Sequence, residues 1–496
     1  MPGGDPIRSV ADQMQYSIVA PAGTSSSTCG YCSPPGVRSS TKSSKSFYLF
    51  SYALEPAAYQ ALIDAGWRRS CNVIYKPDNS QTCCPQHTIR LLVHTHNTSR
   101  SQRRALQPLF WEVHAPQGNT RPLKKRGDDN HPFSLETFWR HTEWSSEHDQ
   151  DGNVGSDHAR PLSQDNKVKS AWYRCPKRRK LEITLRPASV TTEKFQLFKK
   201  YQMGVHKEPA SKNTMTSWKR FLVSNSFIGQ DELEQMGSID LDSDDPIPYG
   251  GYHHEWRLDG KLIAVGVLDI LPSCVSSVYS YYDPDLEHLN LGKATALREI
   301  YLVQQLGKKR GMHALQYYYL GYWVAKCQKM VYKASYRPQM ILDTATGLWH
   351  RLEDVQTVIE KGVHYDFLSR APPDPDHSSS QHSEPAMDSA MEGIDDDDTH
   401  DPADSSDVDD SDGEEDEAAP FSTILSEPLP PGFLDPGSIS ESALAQTLIL
   451  IQSNLWGSKL VRLGNTNLAS LPEKLEGVKA ALCALGPLAQ LFAFVS

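Results

Sequence analysis

The sequence predicts an α/β protein with two folded regions, and three observations support this class. Between residues 261 and 323, two β-rich runs, a helical segment and an aromatic strand follow one another. Residues 29–112 contain a separate set of short strand, helix and turn signals with closely spaced cysteines. Polar or acidic sequence separates and follows these regions. A small mixed sheet with helices packed on it is therefore the expected core of the larger region.

Each element has its own local signal. The segment 56–66 predicts a short helix, because Tyr59, Leu62 and Ile63 share one face and a glycine ends the run. Strands are predicted at 88–94, 261–271, 276–282 and 315–323, with a turn at Asp283-Pro284 and a helix at 291–306. Apolar pieces at 443–451 and 478–495 predict one or two helices that dock back on the body.

Shifts in composition divide the chain. We predict a disordered N-terminus at 1–28, a Cys-rich domain at 29–112, a polar linker or insertion at 113–170, an α/β domain at 171–366, a disordered acidic tract at 367–420 and a helical extension at 421–496. No apolar run approaches the ~18 residues of a membrane helix, and no secretory signal is visible. Nine cysteines in 496 residues are too few for a disulfide scaffold. We therefore expect a soluble intracellular protein.

The net charge of −11 hides a division of charge along the chain. Residues 374–417 contain 19 acidic residues and no Lys or Arg, so 50 basic residues face only 42 acidic ones elsewhere, a balance of +8. A basic body favours a polyanionic partner such as nucleic acid. A solvated surface with no such partner is the alternative.

Four cysteines predict a metal site. Cys29 and Cys32 are spaced so that both sulfurs can face one ion, and Cys83 and Cys84 add two more thiols in the same region. Four thiolates suit tetrahedral Zn²⁺ or an iron–sulfur cluster. A redox pair or plain buried thiols remain the alternatives, because the second pair is CC rather than CxxC.

Ordered runs of residues resemble the arginyl-tRNA–protein transferases over residues 28–112 and 170–352. The N-terminal runs are Cys29-Gly30-Tyr31-Cys32, Gly66-Trp67-Arg68-Arg69-Ser70, Tyr75-Lys76-Pro77 and Cys83-Cys84. The later runs include Tyr249-Gly250-Gly251-Tyr252-His253, residues 258–272, Ser276-Ser277-Val278-Tyr279, Tyr281-Tyr282-Asp283-Pro284-Asp285, Ala296-Leu297-Arg298-Glu299-Ile300, residues 317–322, Tyr332-Lys333 and Tyr336-Arg337-Pro338.

This resemblance implies an enzyme that moves arginine from Arg-tRNA onto the α-amine of proteins beginning with Asp, Glu or oxidised Cys, which marks them for ubiquitin-dependent degradation. It also implies a catalytic half similar to the N-acetyltransferase fold, and Cys29, Cys32, Cys83 and Cys84 as ligands of zinc or an Fe–S cluster, with no CoA. The expected partners are Arg-tRNA, acidic-terminus proteins and downstream ubiquitin-ligase machinery, in the cytoplasm and also the nucleus. One residue departs from the family pattern: Cys71 stands where a glycine is usual.

The reaction itself suggests residues for each role. An amine attacking an ester needs positioning, proton relay and oxyanion stabilisation. We expect Asp283 to be the relay, with Asp269 second, and Tyr281 to assist, although Asp283 can also simply form an Asp-Pro turn. Glu299 is the candidate for pairing with the arginine side chain, with a surface charge paired to Arg298 or Lys293 as the alternative. Five tyrosines can stack on the terminal adenine or donate hydrogen bonds, with a place in the core as the alternative: Tyr281, Tyr282, Tyr317, Tyr318 and Tyr319. Tyr318 is the one that we expect to bind substrate.

Cations are needed for the acidic acceptor and for the tRNA. Arg68, Arg69 and Lys76 are the candidates for reading the acceptor. Arg100, Arg103, Arg104, Lys219 and Arg220 are the candidates for phosphate contacts, with a solvated basic face as the alternative.

Two other functions compete with this one. An acetyl-CoA-dependent N-acetyltransferase needs a Gly-rich turn for the pyrophosphate, and residues 289–293 contain only one glycine. A non-catalytic, zinc-containing RNA-binding adaptor would share the thiols and the basic body.

Overall fold

The computed structural model describes residues 16–32, 37–114, 133–144, 178–369, 421–423, 425, 427–453, 457–466 and 471–495. Most of the predicted acidic tract, most of the segment 113–170, and Cys175 lie outside these ranges. The described residues form two mixed β-sheets with helices packed on them, as predicted for an α/β protein. None of their helices has the length and apolar character needed to cross a membrane.

The strands are β1 (Ser17–Ser27), β2 (Ser44–Ala53), β3 (Arg68–Ser70), β4 (Val73–Pro77), β5 (His87–Leu92), β6 (Leu181–Pro187), β7 (Gly250–Leu258), β8 (Lys261–Ile270), β9 (Cys274–Tyr282), β10 (Tyr317–Trp323), β11 (Gln339–Leu342), β12 (Trp349–Arg351), β13 (Leu448–Ser453), β14 (Gly457–Arg462) and β15 (Phe492–Val495). The α-helices are α1 (Pro56–Asp64), α2 (Arg100–His114), α3 (Leu135–Thr142), α4 (Thr192–Tyr201), α5 (Met215–Leu222), α6 (Gln230–Glu234), α7 (Leu291–Leu306), α8 (Gln328–Val331), α9 (Leu352–Glu360), α10 (Glu441–Gln446) and α11 (Pro472–Leu485).

The first sheet has seven strands in the order β14-β13-β15-β1-β2-β4-β3. It joins the N-terminal region to the C-terminal extension, because β15 pairs in parallel with β1 through Ile18 and Ala493. Its core contains Trp67 and Phe494, both fully buried. Two predictions are thereby corrected. Residues 17–27 are a strand rather than disordered, and the 421–496 extension is mixed α/β rather than helical, since β13 occupies part of the predicted helix at 443–451.

The second sheet has eight strands in the order β12-β11-β5-β10-β9-β8-β7-β6. Strand β5 belongs here although it precedes residue 112, because it pairs with β10 and β11. The predicted boundary at 112 is therefore wrong for β5. Alternation along β9 places α4 and α7 on opposite faces: Tyr281 contacts Phe198 of α4, whereas Glu299 of α7 lies against Gly266, the partner of Ser280.

One helix of the predicted insertion is part of the folded body. Trp139 of α3 is fully buried and meets Trp256 edge to face at 5.5 Å. Arg298 of α7 forms a two-contact ion pair with Glu143, whose Oε2 lies 3.2 Å from Nη2. Of the two predicted alternatives for this segment, a linker or an insertion, residues 135–142 fit the insertion, because they pack as a helix on the second sheet.

Candidate functional site

The candidate site lies where β9 and β10 separate. Their parallel pairing covers only three positions, from Tyr317 opposite Cys274 to Tyr319 opposite Ser276. Beyond this point β10 shifts register against β5 and passes through Gly321, whose φ of 71° is left-handed. Strand β9 carries a bulge at Val278, because Tyr279 and Ser277 oppose consecutive residues of β8. Bulges redirect strands and are frequent near active sites. Here the bulge in β9 and the register shift in β10 separate the two strands, and we call the gap between them the wedge.

The first sheet covers this wedge and forms the second wall of a pocket that opens to solvent. The pocket is lined by Tyr31, Tyr59, Arg68, Arg69 and Tyr75 from the N-terminal region and by Ser276, Ser277, Val278, Gly321, Tyr322, Met330 and Lys333 from the second region. Aromatic and cationic side chains dominate. No Asp, Glu or His belongs to the lining within the part of the chain that the structure describes.

Arg68 is a buried cation in this wall, with only 6% of its surface exposed. Its guanidinium donates hydrogen bonds to backbone carbonyls, at 2.7 Å to Trp67 and 3.5 Å to Gly321, and stacks 4.8 Å from the ring centroid of Tyr322. Its Nε has no hydrogen-bond partner among the described residues. Burying a charge without a counterion is costly. Arg68 therefore suits an anionic ligand.

Arg69 differs from Arg68 because it already has a carboxylate. Its Nε donates to Asp269 Oδ2 at 2.9 Å, and a second contact joins Nη2 to Oδ1. Tyr59 Oη accepts a hydrogen bond from the Arg69 backbone at 3.1 Å. Burial raises the pKa of Asp269, while the Arg69 charge opposes this shift. The pair joins β3 of the first sheet to β8 of the second, so Asp269 positions Arg69.

The four predicted metal ligands meet in space. The sulfurs of Cys29, Cys32, Cys83 and Cys84 all lie within 4.8 Å of one another. Tyr31 N donates to Cys29 Sγ at 3.3 Å, and Ser43 Oγ donates to Cys83 Sγ at 3.1 Å. A hydrogen bond from Cys84 is the main reason that the pKa of Cys29 is lowered to about 5. Four convergent thiols with donors aimed at sulfur fit a thiolate-ligated metal.

The thiol cluster adjoins the pocket. Tyr31 stands between Cys29 and Cys32 in the chain and also lines the pocket. Cys84 and Tyr31 pack against Val324, Cys327 and Met330, and Met330 is itself a lining residue. The same short loop therefore supplies metal ligands and part of the pocket wall.

Asp283 and Tyr281 do not line the pocket. Asp283 caps the 3₁₀-helix Pro284–Leu289 and is held by Lys200 and by Lys261 Nζ at 2.7 Å. It follows Val278 by five residues, about 16 Å of extended strand. Tyr281 is buried, and its ring centroid lies 5.6 Å from the ring centroid of Phe198. The expectation that Asp283 stands in the central cleft is corrected: the strand carries it past the wedge into a lysine-bound cap.

Three predicted substrate contacts also lie elsewhere. Tyr318 donates a 2.5 Å hydrogen bond to Glu299 Oε2 on the α7 side of the second sheet. Gly266 permits this approach, since a Cβ there would lie 2.6 Å from Glu299 Oε1. Lys76 alternates with Tyr75 on β4, so it points to the opposite face, where its Nζ is 5.5 Å from the Phe433 ring. Burial lowers the pKa of Lys76 to about 8.

The predicted phosphate contacts form two surfaces rather than one. Arg100, Arg103 and Arg104 are exposed on α2, which packs on α7. Lys219 and Arg220 are exposed on α5, which packs on α4 at the other face of the second sheet. One straight tRNA arm cannot cover both surfaces through the sheet.

Of the lining residues, sequence reasoning identified only Arg68 and Arg69 as site residues; the titratable ones that it missed are Tyr31, Tyr59, Tyr75, Tyr322 and Lys333. Strand pairing held a signal for one of them. Arg68 and Tyr75 are cross-strand partners, and such partners share a face of the sheet. A prediction of the β3–β4 hairpin from the sequence would therefore have placed Tyr75 beside Arg68.

The fold and the site together define a two-sheet α/β protein with a cationic ligand pocket beside a four-thiol cluster. Two family models match it: "Arginine-tRNA-protein transferase, N terminus" over residues 27–104 and "Arginine-tRNA-protein transferase, C terminus" over residues 193–343. The chain belongs to the arginyl-tRNA–protein transferase family and is an aminoacyltransferase.

Curated relatives agree with this assignment. The chain is 28% identical to arginyl-tRNA–protein transferase 2 of Arabidopsis thaliana, over 76% of this chain and 82% of the relative. It is 29% identical to arginyl-tRNA–protein transferase 1 of Drosophila melanogaster, over 69% of this chain and 84% of the relative. A shorter match, 43% identical over 96 residues, joins 19% of this chain to 37% of an aspartate/glutamate leucyltransferase of Pseudomonas fluorescens.

Proposed function

We propose that this enzyme transfers arginine from Arg-tRNA to proteins whose first residue is Asp, Glu or oxidised Cys, and that the pocket binds the acidic side chain of that residue. Transfer of arginine from tRNA to protein N-termini is the activity of the family to which the chain belongs. The acceptor class and the residues that read it are our proposal. We also propose that the arginylated products enter ubiquitin-dependent degradation, in the cytoplasm and also in the nucleus.

The observation that carries this proposal is Arg68, a buried guanidinium with an unpartnered Nε in a pocket whose described lining has no acid. A guanidinium pairs with a carboxylate through parallel hydrogen bonds. Binding an acidic side chain would complete the polar contacts of Arg68, whereas a basic side chain would face like charge. The leucyltransferase relative is named for aspartate and glutamate, although it is named for a different transferred residue. This supports an acceptor site shared between enzymes with different aminoacyl donors.

The wedge supports acyl transfer chemistry as well. The bulge at Val278 leaves one residue of β9 without a regular ladder partner on β8. Backbone N–H groups freed in this way are suited to an oxyanion. We propose that the aminoacyl ester enters along the gap between β9 and β10, while the arginines of α2 contact tRNA phosphates.

The acceptor proposal is tested with Arg68→Met and purified Arg-tRNA. Labelled arginine transfer is measured on matched peptides that begin with Asp, Asn or Lys. We expect Arg68→Met to lower transfer to the Asp peptide by about 100-fold or more, because a charge-assisted hydrogen bond and a buried counterion are lost. Arg257→Met is the matched control, since this partly exposed guanidinium pairs with Glu193 outside the pocket lining.

Two outcomes would contradict this proposal. Equal transfer to Asp and Lys peptides by the unaltered enzyme would refute the acceptor class. A similar loss in Arg257→Met would show that Arg68→Met acts through stability. Acetyl transfer from acetyl-CoA, or tRNA binding without transfer, would favour the two competing functions instead.

We also propose that the four thiols hold one metal centre, either Zn²⁺ or an Fe–S cluster. When bound, such a centre would cross-link the loop at residues 29–32 to Cys83 and Cys84. Metal analysis and an absorption spectrum of anaerobically purified protein separate the two identities, because an Fe–S cluster absorbs visible light and Zn²⁺ does not. Cys84→Ser should lose the metal, whereas the control Cys71→Ser should retain it. Equal metal content in both variants would contradict the assignment.

A further inference from the structure

The pocket holds three cations and four phenols. Arg69 is neutralised by Asp269, while Arg68 donates to backbone carbonyls. Lys333 is 2% exposed, and its Nζ donates to the Tyr322 carbonyl at 3.2 Å. The phenols of Tyr31, Tyr59, Tyr75 and Tyr322 complete the titratable groups of the lining. Burial raises the pKa of Tyr59 and of Tyr322, so both remain neutral in the physiological range.

This lining poses a chemical question. A peptide α-amine has a pKa of about 7.7–8.0, so much of it is protonated near pH 7. The ammonium form has no lone pair and cannot attack an ester. Enzymes commonly solve this with a general base within hydrogen-bond reach. In the described lining, the carboxylates and imidazoles that usually serve are missing, and Asp269 is engaged by Arg69.

We propose that the pocket prepares its nucleophile by electrostatics: Lys333 lowers the pKa of the bound acceptor's α-amine, so that the amine is held neutral without a carboxylate base. This inference rests on the proposed acceptor function of the pocket. Lys333 is then a positioning and charge-setting residue for the substrate rather than a proton acceptor.

The geometry explains why Lys333, and not Arg68, supplies this effect. Arg68 and Lys333 flank Gly321: Arg68 Nη2 reaches its carbonyl at 3.5 Å, and Lys333 Nζ lies 3.9 Å from the position of a Cβ on it. The acceptor's own carboxylate pairs with Arg68 and cancels its charge. In free solution that carboxylate stabilises the ammonium, so the pairing also removes a cause of high amine pKa. The charge of Lys333 then acts on the amine at short range and low solvent exposure.

The chemical step balances without another reactant. The neutral amine lone pair attacks the ester carbonyl, and a C–N bond forms as the carbonyl electrons move to oxygen. Collapse breaks the bond to the ribose oxygen, which takes the proton that the attacking nitrogen loses. The products are an amide and a tRNA with a free terminal hydroxyl.

The test measures the amine directly. An acceptor peptide with ¹³C at Cα of its first residue, Asp, is bound to the enzyme with uncharged tRNA, and its ¹³Cα shift is followed from pH 5.5 to 9.5. We expect the bound amine to titrate at least about 1 pH unit below the free peptide, since a neighbouring positive charge at low solvent exposure disfavours the ammonium form by that order. Lys333→Met should abolish most of this lowering of the amine pKa, because the positive charge is lost, and Lys333→Arg should preserve it.

The outcomes are separable. A bound peptide whose amine titrates at or above its free value overturns the inference alone. Equal titration in Lys333→Met and in the unaltered enzyme does the same. An Asp peptide that does not bind, under conditions where arginine is still transferred to other termini, refutes the proposed acceptor site and the inference together.

Discussion

The two sheets are built from the chain in different ways. In the second sheet β6 to β10 come from one stretch, and the neighbours β6, β7, β8 and β9 are consecutive in sequence. In the first sheet β1 lies between β2 and β15, which are separated by more than 400 residues. Most of the second sheet therefore forms between strands that are close in sequence, whereas the first sheet requires pairing between segments that are far apart in sequence.

Function follows this division. The second sheet opens the wedge, and the segment between β10 and β11 supplies Lys333. Strand β3 of the first sheet supplies Arg68, and the loops after β1 and β4 supply the four thiols. The pocket exists only where the two meet. The most sensitive tests therefore act on the first sheet or on the contacts that join it to the second.

The largest expected effect comes from removing residues 421–496. This deletes Ile449, Phe492 and Phe494, which are buried in the core of the first sheet. Burial of each of these side chains stabilises the folded protein by about 1.5–3 kcal/mol. The first sheet should then fail to form, seen as rapid hydrogen exchange across β1. Deleting residues 374–417 instead is the control and should leave β1 protected. Persistent protection of β1 without the tail would refute the dependence.

The next effect tests the link between the sheets. Asp269→Asn leaves the Arg69 guanidinium buried without its counterion, and breaking such a pair costs about 3–5 kcal/mol. Urea unfolding at pH 7 measures this loss. Asp259→Asn, which disrupts an exposed pair with Arg179, should cost at most about 1 kcal/mol. Equal losses in the free energy of unfolding would mean that the Arg69–Asp269 pair between the two sheets stabilises the protein no more than an exposed ion pair does.

A smaller effect lies inside the second sheet and depends on pH. Burial acts to raise the pKa of Asp283, but hydrogen bonds from Lys200 and Lys261 outweigh it and lower that pKa. Because the pKa of Asp283 is lower in the folded protein than in the unfolded chain, its carboxylate stabilises the folded protein at pH values above the unfolded pKa of about 3.9. This contribution to the free energy of unfolding is lost as the pH falls from there through the folded-state pKa.

Asp283→Asn should therefore cost about 1 kcal/mol at pH 6, because both lysines are substantially exposed. The difference from the unaltered protein should shrink towards pH 3. Denaturant unfolding at the two pH values measures it. A pH-independent difference would instead indicate a loss of cap geometry.

The smallest effect is a gain. Cys71 has a φ of 54° in the hairpin between β3 and β4, a conformation that costs a non-glycine residue about 1 kcal/mol. Cys71→Gly should raise the free energy of unfolding by about 0.5–1 kcal/mol. Thermal melting beside Cys71→Ala, which keeps the strain, makes the comparison.

Local elements were predictable because their signals are local. The helix predicted at 291–306 coincides with α7, and the strands predicted at 261–271 and 276–282 match β8 and β9 within two residues. The four thiols were found because CxxC spacing and a second cysteine pair indicate convergent ligands.

Long-range pairing left no comparable signal. Strand β1 contains Pro21, Gly23 and four serines, a composition typical of a loop, and only its neighbours β2 and β15 make it a strand. Asp283 was misplaced for a similar reason. Its lysine partners lie 22 and 83 residues away, so the sequence around it shows a turn but not the charges that hold it.

The order of strands in the first sheet also constrains biosynthesis. Strand β1 emerges from the ribosome early, yet its parallel partner β15 appears only after residue 491 has been made. Domains generally fold as units while the chain is being made, N-terminal first. Here β1 gains its parallel partner only after residues 492–495 have been synthesised. The acceptor pocket, and with it activity, should therefore appear only after synthesis of the tail, and a stalled or shortened chain would be a client for chaperones rather than a partial enzyme.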